Sequence, residues 1–80
     1  MKLHYYRDTD TLSLKLKDAK SAKTEEIAHD VVVDFDADGS LISIDIDLTS
    51  KKLDLTLLEM VDFPGKLINL SDAKPGQSYR

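Results

Sequence analysis

The sequence predicts a mainly β domain of the α+β kind. Its expected architecture is a four-stranded antiparallel meander of two β-hairpins, with a short C-terminal helical or extended segment packing on or beside the sheet. Three observations carry this. Apolar and polar residues alternate with a period of two through much of the first half, as in LSLKLK and SLISIDI. Each pair of alternating stretches is separated by turn formers, RDTD in one case and DADGS in the other. In the second hairpin the turn residues and the apolar pattern specify the same register.

In chain order, KLHYY carries Leu3 and Tyr5 on one face and Lys2, His4 and Tyr6 on the other. In LSLKLK, Leu12, Leu14 and Leu16 alternate with Ser13, Lys15 and Lys17. Pairing Tyr5 with Leu12, Leu3 with Leu14 and Met1 with Leu16 collects the apolar side chains on one face, with Asp8 and Thr9 as the loop or a longer loop as the alternative. The polar stretch DAKSAKTEEIAHD reads as a connection, containing either a short edge strand around Lys23 to Ile27 or a short helix. In VVVDFDADGSLISIDIDL, Asp38 and Gly39 suit a two-residue type I′ turn. That turn pairs Phe35 with Ile42, Val33 with Ile44 and Val31 with Ile46.

After Asp47 the pattern supports two readings. Leu53, Leu57 and Met60 recur at helical spacing behind a Thr49 or Ser50 cap, and Leu53, Leu55 and Leu57 also alternate as a strand would. Pro64 and Gly65 then break the chain, and KLINL resembles a short final strand. Residues 1–70 are therefore expected to form a single small antiparallel domain and residues 71–80 a polar, mobile tail. The expected core is Leu3, Tyr5, Leu12, Leu14, Val31, Val33, Phe35, Ile42, Ile44 and Ile46. Its cover, or a dimer contact, falls to Leu53, Leu55, Leu57, Leu58, Met60, Val61 and Phe63.

Eighty residues without a cysteine cannot use a disulfide to reinforce a small core. Self-association is the remaining common route, most simply a two-fold homodimer. The net charge of −4 disfavours nucleic acid. No apolar stretch approaches the roughly 20 residues that cross a bilayer, and MKLHYYRDTD lacks the apolar middle of a signal peptide. A soluble cytoplasmic protein without membrane contact is expected.

The succession MKLHYYRDTDTLSLKL, TEEI, VVVDFDADGSLISIDI and LTSKKL resembles the bacterial and archaeal family called domain of unknown function 2283. Tyr5, Asp10, Leu12, Glu25, Glu26, Asp34, Phe35, Asp36, Gly39, Ile44, Ile46 and Ser50 stand where that family's pattern has its aromatic, acidic, aliphatic, glycine and serine positions. Asp45 departs from it, since the family often has glutamate there. The likeness covers about two-thirds of the chain and ends near Lys52. It implies a small sheet protein and brings no catalytic residues. Some members are thought to sit beside genes for small ribonuclease-like toxins, which implies a partner-binding or antitoxin-like role.

DFDADGSLISID also has the outline of a calcium loop, with Asp34, Asp36 and Asp38 at its first, third and fifth positions, Gly39 sixth and Asp45 twelfth. Ile42 at the ninth position offers no side-chain oxygen, Asp45 is short for bidentate reach, and strand-like flanks replace the usual helices. A looser cation site remains on the face shared by Asp34, Asp36, Asp45 and Asp47. Those four, with Glu25 and Glu26, are also the candidate docking residues for a basic protein. His4, with Ser13 opposite and Tyr6 beside it, has the elements of a nucleophile and base but no evident orienting acid. His29 and Asp30 read as a turn. Adjacent Glu25 and Glu26 point to opposite faces of a strand, which separates a would-be acid and base. No cofactor signature is present. The functional expectation is a non-enzymatic protein-interaction module, with a hard-cation binder and a small enzyme as the alternatives.

Overall fold

The computed structural model describes residues 1–70, so the tail expected at residues 71–80 lies outside the described residues. It holds one antiparallel sheet of five strands: β1 (Lys2–Tyr6), β2 (Thr11–Lys15), β3 (Lys23–Ala28), β4 (Val31–Phe35) and β5 (Leu41–Ile46). Their spatial order is β1-β2-β5-β4-β3. The four-stranded meander is thus corrected twice. The short edge strand that residues 23–27 offered as one reading forms and raises the count to five, and β2 pairs with β5 instead of handing on to its neighbour in sequence.

The reason lies in the central strand. Ile44 is flanked by Leu14 on one side and Val33 on the other, and Ile46 by Leu12 and Val31. Placing the isoleucine-rich strand between two apolar neighbours buries more of it than an edge position would. Residues 16–22 make this order reachable by running from β2 along the end of the sheet to β3. Three strand spacings amount to roughly 14 Å, and seven extended residues reach further than that. The path is tied down by hydrogen bonds from Leu16 N–H to Ile42 O at 2.7 Å and from Ala22 N–H to Phe35 O at 2.8 Å.

In the first hairpin Tyr5 faces Leu12, Leu3 faces Leu14 and His4 faces Ser13, the register that the alternation predicts. β1 begins at Lys2, so no Met1–Leu16 pair forms within it. Asp8 and Thr9 lie at the tip of the turn closed by Asp10 N–H to Arg7 O at 3.4 Å.

The second hairpin departs from its expected turn. Gly39 N–H donates to Asp36 O at 3.0 Å, which puts Ala37 and Asp38 at the centre of the turn. Gly39 alone takes the left-handed conformation there, with φ of 82°. A type I′ turn would have required left-handed backbone at Asp38 as well as at Gly39. The extra loop residue is absorbed by a bulge: Asp34 faces Ser43 but Phe35 faces Leu41, not Ile42. Val33–Ile44 and Val31–Ile46 keep the predicted pairing.

Beyond β5 the chain makes one 3₁₀ turn, Thr49–Lys51, and neither a longer helix nor a strand follows among the described residues. KLINL, expected as a strand, is irregular. The expected core residues do line one face, but only Val33 and Ile42 among them are fully buried, at 3% and 4% exposure. Leu3 and Tyr5 on the edge strand are exposed. So are Leu53, Leu55, Leu57, Leu58, Met60, Val61 and Phe63, which leaves them as partial cover at most.

A Cβ at Gly39 meets nothing within 4 Å, so Gly39→Ala tests backbone strain without a clash. It is expected to lower the unfolding free energy by about 1 kcal/mol, and Gly39→Asn by less, because asparagine tolerates left-handed backbone. Urea denaturation of the two variants measures both.

Candidate functional site

Residues 47–52 cross the end of the sheet and are held by two aspartates, Asp10 and Asp30. Both are left-handed, with φ of 55° and 64°, and each directly precedes a strand, β2 and β4 respectively. Aspartate tolerates this conformation better than most side chains. On one side, Asp10 O accepts from Thr49 N–H at 2.9 Å. The Asp10 carboxylate accepts from Ser50 N–H at 3.0 Å, Ser50 Oγ at 2.7 Å and the Tyr5 hydroxyl at 2.6 Å. On the other side, Asp30 O accepts from Asp47 N–H at 2.8 Å, and its carboxylate from Lys52 Nζ at 3.0 Å.

Thr49 sits between these ties and is completely buried, at 0% exposure. Its Oγ1 accepts from Leu12 N–H at 3.0 Å and lies 2.7 Å from Ile46 O and 3.1 Å from Asp10 O. A single hydroxyl proton serves the two carbonyls, and the shorter distance favours Ile46. Thr11 Oγ1 adds a bond to Asp47 Oδ1 at 2.8 Å. This cluster escapes a reading by periodicity, since Tyr5, Asp10, Thr49 and Ser50 share no spacing. The one sequence signal for it is that Tyr5, Asp10 and Ser50 all belong to the family-like pattern.

The acidic residues singled out in the sequence serve the fold separately. Asp34 accepts from Thr24, from Ser43 at 3.0 Å and from Ser21 at 3.3 Å. Asp36 accepts from Lys17 Nζ at 2.6 Å and turns its other oxygen to the N–H groups of Asp38 and Ser40, both at 2.9 Å. That local ring is an Asx turn closing the hairpin, and it takes the oxygens a calcium loop would turn to the ion. Asp45 lies mid-face between Ser13 and Val32, while Asp47 is engaged by Thr11. Among the described residues no group of three or more acidic or imidazole side chains is arranged to hold a metal ion.

Glu25 faces Val33 and Glu26 faces Val32, so the two lie on opposite sides of the edge strand. Glu25 comes within 3.8 Å of Lys23 Nζ. His4 stacks on Tyr6 with ring centroids 4.1 Å apart and planes inclined by 7°. His4, Ser13 and Asp45 fall in one cross-strand row with serine in the middle. Nucleophilic activation needs the base between nucleophile and acid, so this row has the wrong order for a triad. His29 Nε2 lies 3.3 Å from Asp30, in the turn expected there.

Electrostatics follow the same hydrogen bonds. Asp10 is held below the usual carboxylate range by Tyr5 and then Ser50, Asp30 by Lys52, Asp34 by Thr24 and then Ser43, and Asp36 by Lys17. The Tyr5 phenol is raised, first by its bond to Asp10. Groups with depressed folded pKa values add stability that is complete above their unfolded values and lost as pH falls. The unfolding free energy is therefore expected to decline from about pH 4 downward. Tyr5 has the opposite sign, and its contribution is lost as pH rises through its folded value. Asp10→Asn should shrink the acid-side decline and return the Tyr5 phenol toward its ordinary value, as read by NMR titration of the ring. Thr49→Val leaves the Leu12 N–H without its acceptor and should cost about 2 kcal/mol, and Thr49→Ser about 1 kcal/mol, in chemical denaturation.

No curated protein and no solved structure matches this chain. A family model described as a protein of unknown function, DUF2283, matches residues 2–47, which span all five strands. The sheet strands, Asp10 and the Asp34 and Asp36 ties lie inside that match, and Asp10's partners Thr49 and Ser50 lie just beyond it. On that match the chain belongs to the DUF2283 family of proteins of unknown function.

Proposed function

We propose that the protein is a non-enzymatic protein-interaction module of the cytoplasm whose first partner is a second copy of itself. The observation that carries this reading is the small interior: Val33 and Ile42 are the only buried hydrophobic residues among those described. Ten large apolar residues between Leu53 and Leu70 are exposed, Leu57 at 71% and Val61 at 79% among them. Together they present apolar surface on the order of 1,000 Å², comparable with the ~800 Å² per partner of a standard interface.

Two further features fit a binding role better than catalysis. Asp10, Asp34 and Asp36 are engaged by hydrogen bonds within the fold, and the histidine–serine–aspartate row has the wrong order for activating a nucleophile. The net charge of −4, with Asp45 and Glu26 on the polar face, makes a basic protein the heterologous partner of best charge match.

Sedimentation equilibrium over a wide range of protein concentration is the test. The expected result is a reversible rise from the 9.0 kDa chain to twice that mass. A constant monomer mass up to millimolar concentration removes the self-association reading.

A further inference from the structure

We propose that the second copy docks edge to edge along β1, so that two antiparallel β1 strands join the sheets into one of ten strands about a two-fold axis. This rests on the self-association reading above and places the contact on β1, apart from the exposed apolar residues 53–70. The sheet has two edges, and they differ in chemistry. β3 is defended. Its pairing is broken by a bulge between Glu26 and Ala28, Lys23 and Glu25 stand on the apolar side, and Glu26 stands on the other. A strand added there would bury the charges on the apolar side, and with either glutamate on the two-fold axis acid would face acid.

β1 has none of these devices. Its five residues pair with β2 in unbroken register, without bulge, proline or acid, and Lys2 is its single lysine or arginine. Leu3, Tyr5 and Tyr6 are 45%, 39% and 49% exposed. A regular strand with open apolar and aromatic side chains is the kind of edge onto which another strand adds.

The sequence of β1 is complementary to itself. With His4 on the two-fold axis, Leu3 of one copy faces Tyr5 of the other, and Lys2 faces Tyr6. Aliphatic–aromatic pairs across antiparallel strands are stabilising, and an ammonium near a tyrosine ring is attracted by its face. No lysine, arginine or acid is set against its like. The row Leu3, Leu14, Ile44 and Val33 on the apolar face would continue into Tyr5 and Leu12 of the second copy. The exposed edge of that face thereby becomes its middle. A five-residue seam is smaller than a standard interface, so the association is expected in roughly the micromolar range.

The seam pairs residue 2 with residue 6 across copies, whereas within one chain these two lie roughly 13 Å apart along the strand. Tyr6→Lys should therefore set two lysine pairs against each other and weaken dimerisation at least tenfold. The double variant Lys2→Glu with Tyr6→Lys should restore it, because each lysine then meets a glutamate. Both variants lose the His4–Tyr6 stack equally, so only the charge pairing across the seam separates them. Sedimentation of wild type and both variants, with circular dichroism confirming the sheet, gives a readout for each case. A wild-type monomer overturns the self-association reading itself. A wild-type dimer indifferent to Tyr6→Lys overturns the β1 seam alone, as does a weakened dimer that the double variant fails to recover.

Discussion

The fold depends on the seam between β2 and β5. It alone pairs the N-terminal hairpin with the other three strands, and its partners are more than twenty-five residues apart in sequence. Closing so long a loop costs entropy before any apolar contact rewards it. The chain offsets this by fastening the seam at both ends. At one end Thr49 bridges the two strands from a fully buried position, accepting from Leu12 N–H while its hydroxyl lies against Ile46 O. At the other end Leu16 extends the ladder to Ile42, and Lys17 holds the Asp36 carboxylate at the hairpin turn.

Residues remote from one another in sequence meet in such ties. Tyr5, Asp10 and Ser50 meet in one hydrogen-bonded cluster, and Asp36 and Gly39 close one turn. Asp34 gathers the hydroxyls of Thr24 and Ser43, tying β3 and β5 to β4 between them. These are duties of the fold. In this chain Asp10, Asp34 and Asp36, all within the family match over residues 2–47, are engaged by the fold itself.

The same contrast decides what was legible in the sequence. Alternation gave the faces of both hairpins and the register of the first, because a one-residue slip would have put Leu12 and Leu14 in water. It could not give the order of the strands, since β5 satisfies the same pattern at an edge or in the middle. The second turn was misplaced by one residue because Asp-Gly suits type I′ chemistry, while Asp36 one step earlier offered an Asx turn that caps two N–H groups. Among the site residues, the spacing of Asp34 and Asp36 resembles a metal loop only when their hydroxyl and lysine partners are out of view. Thr49 was legible only as a possible cap. Its real duty requires knowing that β2 and β5 are neighbours.

A sheet held this way is fixed in geometry more firmly than in free energy. Most of its side-chain hydrogen bonds lie in partly or fully exposed positions, where each is worth little against solvent competition. The buried apolar contribution is confined to a few residues of β4 and β5. Anything that covers the exposed apolar surface binds the folded form alone and so stabilises it by mass action. Folding and association then draw on the same surface. The polar ties give the isolated chain its shape, and the self-association proposed above would supply burial that a single sheet of this size lacks.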